Sequence, residues 1–179
     1  MKSIQIKKIQ VELIQGDITR QADIEAIVNA SNAWLRAGGG VSGAIHNAAG
    51  PELEKSGQLL APIKPGKAVI TPAHLLPNKY VIHCLGPVYG VDNPSDVLLA
   101  ECFINALKIC EEKNITSVAF PAISTGIFGY PKKEAAWISL QTIVDLCPSL
   151  KKVKTIRFVL FSDSDLDIFS NTLSHFEVK

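Results

Sequence analysis

Three stretches of the chain set polar or glycine residues just where an apolar run ends. The longest is Asn29 to Gly50, NASNAWLRAGGGVSGAIHNAAG, which follows the apolar run AIV. Its glycines, Gly38, Gly39 and Gly40, sit directly before small residues with helical spacing. Glycine accepts positive φ and carries no Cβ, so such a run can expose successive backbone N–H groups. A concave row of N–H groups leading into a helix N-terminus binds an anion, most often phosphate. The pattern is neither GxGxxG nor GxxxxGK[ST], so the usual dinucleotide and P-loop signatures are both missing. A flexible surface loop is the competing reading of the same glycines.

The second stretch, PAISTGIFGY at 121–130, again ends a strand-like run in a Ser-Thr-Gly turn. Its backbone offers a cradle for a second phosphate. Phe128, held close to Gly126 and Gly129, either packs inward or lies against a ligand ring. The third is QGDIT at 15–19, where Asp17 is a carboxylate at a strand end. Asp17 is either a turn or helix-cap aspartate or an acceptor for an exocyclic amine such as that of adenine. Two glycine loops and a carboxylate together suggest a diphosphate with a base at one end. Ser42 reads as a helix N-cap or as a hydroxyl facing the ligand, and His46, one helical turn on, as a partly buried structural histidine. A nucleophilic Ser42 needs a base and a third orienting group, and no such group is evident.

These loops need a scaffold of alternating strands and helices. Residues 4–14 alternate as one or two strands, and 25–30 is a short, nearly continuous apolar strand. Val41, Ala44, Ile45 and Ala48 fall on one helix face over 41–49. Strands follow at 67–73 and 79–86. Ser95 is expected to cap a helix with the stripe Leu99, Phe103, Ala106, Leu107 and Cys110, ending at Asn114. A buried strand at 117–123 leads to a helix that starts at Pro131 and runs to about 146. A strand at 155–161 leads to a last helix with Asp163, Asp165 and Asp167 near its first turn and Leu166, Phe169, Leu173 and Phe176 inward. Such alternation predicts an α/β three-layer sandwich, with ligands at loops leaving the carboxyl ends of strands.

The 179 residues suit one domain, 1–179, with 47% hydrophobic and 20% charged residues. A net charge of +1 argues against a binder of long nucleic acids. Cys84, Cys102, Cys110 and Cys147 form no CxxC pair and read as small core residues in a reducing compartment. A zinc site with His74 or His83 lacks ligand spacing, so no metal and no cofactor is expected. No apolar run approaches membrane-spanning length, and the expectation is a cytoplasmic monomer.

The ordered set QGDIT, VNASN…GGGVSGAIH…AAGPEL, GKAVITPAHLLPNKYVIHCLGPVYG and SVAFPAISTGIFGYP resembles the macrodomain family, specifically its MacroD-type branch. The match runs over roughly residues 10–175. The resemblance implies a mixed six- or seven-stranded sheet between helices, with ADP-ribose as ligand. It implies that Asp17 accepts from the adenine amine and that the Ile18 backbone touches the same ring. Gly39, Gly40 and Val41 would face a phosphate and the distal ribose. Ser124, Thr125, Gly126, Ile127 and Phe128 would wrap the diphosphate, with Phe128 against the distal ribose. Asn32 would hydrogen-bond that ribose, and Phe161 would stack on adenine.

MacroD-type members resembling this chain release ADP-ribose from acidic side chains and deacetylate O-acetyl-ADP-ribose. Their glycine motif reads GGGVDG, where this chain reads GGGVSG. Ser42 therefore replaces an aspartate thought to position or activate water. A serine hydroxyl is no general base near neutral pH. Other macrodomains with a small residue there stay active, with the substrate phosphate orienting water and Asn32 and Phe128 placing the scissile bond. Three readings follow: a hydrolase of ADP-ribosyl esters using Asn32, Ser42 and Phe128, a silent ADP-ribose reader, and a binder of another nucleotide or RNA. The partners implied are ADP-ribosylated proteins or O-acetyl-ADP-ribose.

Overall fold

Period-two alternation sends neighbouring residues of each inner strand to opposite faces of one sheet, and each face meets its own helices. The fold is that of a computed structural model, described over residues 2–176. Its strands are β1 (Lys2–Ile6), β2 (Ile9–Gln15), β3 (Ala26–Ala30), β4 (Ala68–Pro72), β5 (Tyr80–Cys84), β6 (Ser117–Phe120) and β7 (Thr155–Leu160). Its helices are α1 (Gly40–Ala49), α2 (Glu52–Gln58), α3 (Ser95–Glu112), α4 (Lys132–Leu146) and α5 (Asp163–Ser174). The strand order is β1-β2-β7-β6-β3-β5-β4. The inner strands β2, β7, β6, β3 and β5 run parallel, while β1 and β4 are antiparallel edges.

On one face Val28, Ile82, Val118 and Phe158 pack with Phe103 of α3, Leu140 of α4 and Phe169 of α5. On the other, Ile27, Val81, Ala119 and Val159 pack with Ile45 and Ala49 of α1 and Leu53 of α2. The result is the expected three-layer α/β sandwich with a mixed sheet. Aromatic rings tie the first face together, with Phe103–Phe120 centroids at 5.0 Å and Phe158–Phe169 at 5.2 Å. Such pairs add roughly 0.5–1.5 kcal/mol each beyond their burial.

Five local expectations are corrected. The buried face of α1 is Ser42, Ile45, His46 and Ala49, not Val41, Ala44, Ile45 and Ala48. Alanines carry too little apolar area to fix a helix rotation, so Ala44 and Ala48 are left exposed. The N-cap of α1 is Gly39, in an extended conformation, so Ser42 lies within the first turn and caps nothing. Pro94 and Pro131 occupy the cap positions of α3 and α4, and the Ser95 hydroxyl instead donates to the Asp92 carbonyl. The strand expected over 117–123 stops at Phe120, because Pro121 cannot donate to the ladder.

The chain turns from β3 towards β5 on one side, and later enters β6 on the other. That reversal splays apart the loops that follow β3 and β6, the place where open α/β sheets hold ligands.

Candidate functional site

A cleft of about 320 Å³ opens at this reversal, lined by Ala30, Ser31, Gly39, Gly40, Val41, Ser42, Gly86 and residues 121–124 and 126–128. Both glycine stretches singled out in the sequence thus face one space. The size suits the diphosphate and one sugar of a nucleotide, within the usual range of about 300–1,000 Å³ for ligand pockets.

The first wall is the glycine run. Gly40 has φ +55°, the left-handed region that glycine adopts without strain. Gly43 has no room for a side chain, since a Cβ there would lie 2.5 Å from the Gly38 carbonyl oxygen. The helix start and the loop are therefore in backbone contact. A Cβ on Gly38 would lie 3.7 Å from Asn32 Nδ2 and 3.9 Å from Ser42 Oγ, so Asn32 and Ser42 flank the same glycine. Asn32 Nδ2 donates to the Arg36 carbonyl at 2.9 Å, and Asn32 Oδ1 accepts from Arg36 N–H at 3.1 Å. These bonds use one N–H and one lone pair and lock the amide's orientation, and Asn32 itself lies just outside the cleft lining. Ser42 is 6% exposed, and its hydroxyl has no hydrogen-bond partner among the described residues. A buried unpartnered hydroxyl lining a cleft is free to hydrogen-bond whatever enters it.

The second wall follows β6. Ser124 holds φ +66°, an unusual conformation for a residue with a side chain, and such strain gathers at functional sites. Its buried hydroxyl also lacks a partner among the described residues. Gly86, after β5, makes that conformation possible: a Cβ there would sit 2.1 Å from Ser124 Oγ and 2.6 Å from Ile123 Cγ2. The sequence reading did not single out Gly86, and no periodicity signals a close approach between segments so distant in the chain. Thr125 lies outside the lining, its hydroxyl donating to the Ala122 carbonyl at 2.8 Å. Phe128 packs inward on the small cluster Leu35, Ile63 and Leu85 and also borders the cleft. Ile127 is 98% exposed at the rim.

The remaining candidates lie beside this cleft, at the ends of β2 and β7. Gln15 pairs with Leu160, so Asp17 and Phe161 leave adjacent strands at one level. Phe161 is 87% exposed. Asp17 caps the 3₁₀ turn Ile18–Arg20, its Oδ1 accepting from Thr19 N–H at 2.9 Å and the Thr19 hydroxyl at 2.6 Å. Its Oδ2 has only Arg20 Nε, at 3.7 Å. The cap reading is thus correct, and one oxygen remains for a ligand. The Thr19 hydrogen bonds, with help from Arg20, hold the Asp17 carboxyl below its ordinary range, so it acts purely as an acceptor. The Ile18 side chain is buried in the core under this turn.

Beneath α1 lies a polar layer. His83 joins Asn29 Nδ2 at 3.2 Å and Thr71 Oγ1 at 3.0 Å. Burial, with the nearby His46, pushes the His83 imidazole down to about 3, so it is neutral. His46 is 6% exposed, more deeply buried than expected, and burial lowers it too. The four cysteines are buried, and burial raises their thiols. Among the described residues no cluster of His, Cys, Asp or Glu is arranged to hold a metal, and no helix is long and apolar enough to cross a membrane.

Comparison with known proteins agrees with this geometry. The Macro domain family model matches residues 28–139. An O-acetyl-ADP-ribose deacetylase of Salmonella typhimurium is 41% identical over 170 residues, covering 92% of this chain and 94% of that one. The Oceanobacillus iheyensis macrodomain, solved with ADP, superposes with a TM-score of 0.94 at 39% identity, covering 98% and 95% of the two chains. A Trypanosoma brucei macrodomain solved with ADP-ribose gives 0.85 at 29% identity, covering 91% and 68%. A glycine-walled cleft at the strand reversal of a mixed seven-stranded sheet and these likenesses lead to one statement: the chain belongs to the macrodomain family.

Proposed function

We propose that the protein binds ADP-ribose and hydrolyses its esters, O-acetyl-ADP-ribose and ADP-ribosylated acidic side chains among them. The observation that carries this reading is that the Asn32 amide and the buried, unpartnered Ser42 hydroxyl both lie within 4 Å of the point where a side chain on Gly38 would begin. The relatives named as deacetylases and the neighbours solved with ADP or ADP-ribose support it.

The diphosphate lies against the N–H groups of Gly39, Gly40 and Val41 and those of Ser124, Gly126, Ile127 and Phe128, with the helix dipole of α1 behind it; the Thr125 N–H is taken by the Ala122 carbonyl. Adenine sits between Asp17 and Phe161. Asn32 hydrogen-bonds the distal ribose, and Phe128 backs it. Water attacks the ester, giving a carboxylic acid and free ADP-ribose. Ser42 holds that water without taking its proton, and the substrate's own phosphate orients it. Without a general base the rate falls by about 10²–10⁴, so the enzyme is a slow one.

The same serine favours one alternative, a reader that binds ADP-ribose and releases nothing. Purified protein incubated with O-acetyl-ADP-ribose separates the two. Acetate release that Asn32→Ala abolishes supports the hydrolase. ADP-ribose binding with release no faster than the protein-free control leaves the reader.

A further inference from the structure

We propose that Gln21, gripped by Arg157, is a positioning residue that sets the protein's preference for an adenine base. The proposal rests on the reading of Asp17 as the acceptor for the adenine amine.

Arg157 lies in β7 beside Glu12 of β2, with its side chain only 12% exposed. Its Nε donates to Glu12 Oε2 at 2.7 Å, and its Nη1 and Nη2 grip the Asp23 carboxylate at 2.9 and 2.8 Å. Nη1 also donates to Gln21 Oε1 at 2.9 Å. A guanidinium donates and never accepts, so this bond settles which end of the Gln21 amide is oxygen. The other end, Nε2, donates to the Asp17 carbonyl at 2.8 Å. Gln21 is 7% exposed, and its own carbonyl accepts from Asn78 Nδ2 at 2.8 Å, which also donates to the Ile24 carbonyl at 2.7 Å.

A chain of fixed polarity thus runs from the sheet through Gln21 to the backbone of Asp17. The Thr19 bonds then fix the carboxylate on that backbone and leave Oδ2 outward. A carboxylate oxygen held in place rewards a ring bearing an amine and repels one bearing a carbonyl at the same position. A mobile carboxylate would turn away from the carbonyl and lose that discrimination. Holding the acceptor still is preorganisation, which acts on specificity without touching the ligand.

The test compares ADP with IDP, which differ at the six-position of the base, by calorimetric titration of wild type, Gln21→Glu, Gln21→Met and Asp17→Ala. Gln21→Glu keeps an oxygen for Arg157 but sets its second oxygen, an acceptor, against the Asp17 carbonyl; Tm should drop in both Gln21 variants, and the ADP-to-IDP affinity ratio of the folded protein is the readout. Wild type should prefer ADP by about tenfold or more, the scale of one hydrogen bond to a charged group. In both Gln21 variants the ratio should fall towards one without reaching the value in Asp17→Ala, because the Thr19 bonds to the carboxylate and the Arg20 N–H bond to the Asp17 carbonyl remain. If the Gln21 variants keep the wild-type ratio while Asp17→Ala loses it, the positioning role is wrong and the adenine-acceptor reading stands. Equal weakening of both nucleotides in the Gln21 variants means a merely structural role and also overturns the proposal. If Asp17→Ala itself keeps the preference, the reading of the base site fails, and the proposal with it.

Discussion

Replacing Gly86 by alanine sets a methyl carbon 2.1 Å from Ser124 Oγ and 2.6 Å from Ile123 Cγ2. Gly86 is not among the residues with positive φ, so its backbone accepts alanine and the whole effect comes from the contact. The Ser124 hydroxyl can rotate away. Ile123 cannot, being 1% exposed within the main core. The overpacking should cost about 1–3 kcal/mol. For a chain of this size that lowers Tm by about 2–12 °C. The larger effect is on binding, because relief comes by moving the 121–128 loop away from β5. Losing one N–H donor to a phosphate costs about 1.5–3 kcal/mol, so ADP-ribose affinity should fall by about ten- to a hundredfold. Calorimetry and a thermal melt on one preparation measure both. Ser124→Gly in the same chain should restore part of the Tm, since it removes the closer contact and the strained φ. Gly86→Ala with wild-type affinity and Tm would refute the claim that this close approach shapes the loop.

Other outcomes follow from single features. Phe161→Ala should weaken ADP-ribose by roughly 1–3 kcal/mol of base stacking and leave Tm unchanged, because the ring is 87% exposed; unchanged affinity on titration removes Phe161 from the site. Acid should destabilise the fold well before its carboxylates titrate. His83 is held down at about 3 against 6.5 when unfolded. The unfolded chain therefore binds more protons between those values, and stability is full above about pH 6.5 and declines as pH falls towards 3. At pH 5 the loss is about 2 kcal/mol, read as a lower Tm than at pH 7, and His83→Gln should flatten the slope. The thiols of Cys102 and Cys110, pushed up to about 12, and of Cys147, pushed up to about 11, should resist a thiol reagent until denaturant is added; labelling of the native protein would contradict their burial.

Strong periodic signals made the sandwich legible before any coordinates. The stripe Leu99, Phe103, Ala106, Leu107 and Cys110 is buried as read, because large side chains recurring on one helix face leave little freedom. The face of α1 was misread because alanines and small polar residues fit either rotation, and the groups it packs on, Ile27, Val81 and His83, lie on other elements. The glycine run and the Ser-Thr-Gly turn were legible as neighbours at one site, and both line the cleft, since bare backbone at strand ends is a local signal. Gly86 was not, because the residues it makes room for lie far along the chain, and neither was Gln21, whose amide is oriented by Arg157, 136 residues away. Ser42 is the instructive case. The cap role offered by sequence passed to Gly39, and what remained was a buried hydroxyl facing the cleft.

The most direct test of hydrolysis without the usual aspartate is a single-turnover time course with O-acetyl-ADP-ribose, comparing wild type with Ser42→Asp at enzyme concentrations above Kd. Wild type should release the acetate completely, and Ser42→Asp should do so faster by up to about 10²–10⁴. Bound ester that persists in wild type at the protein-free rate would contradict that expectation.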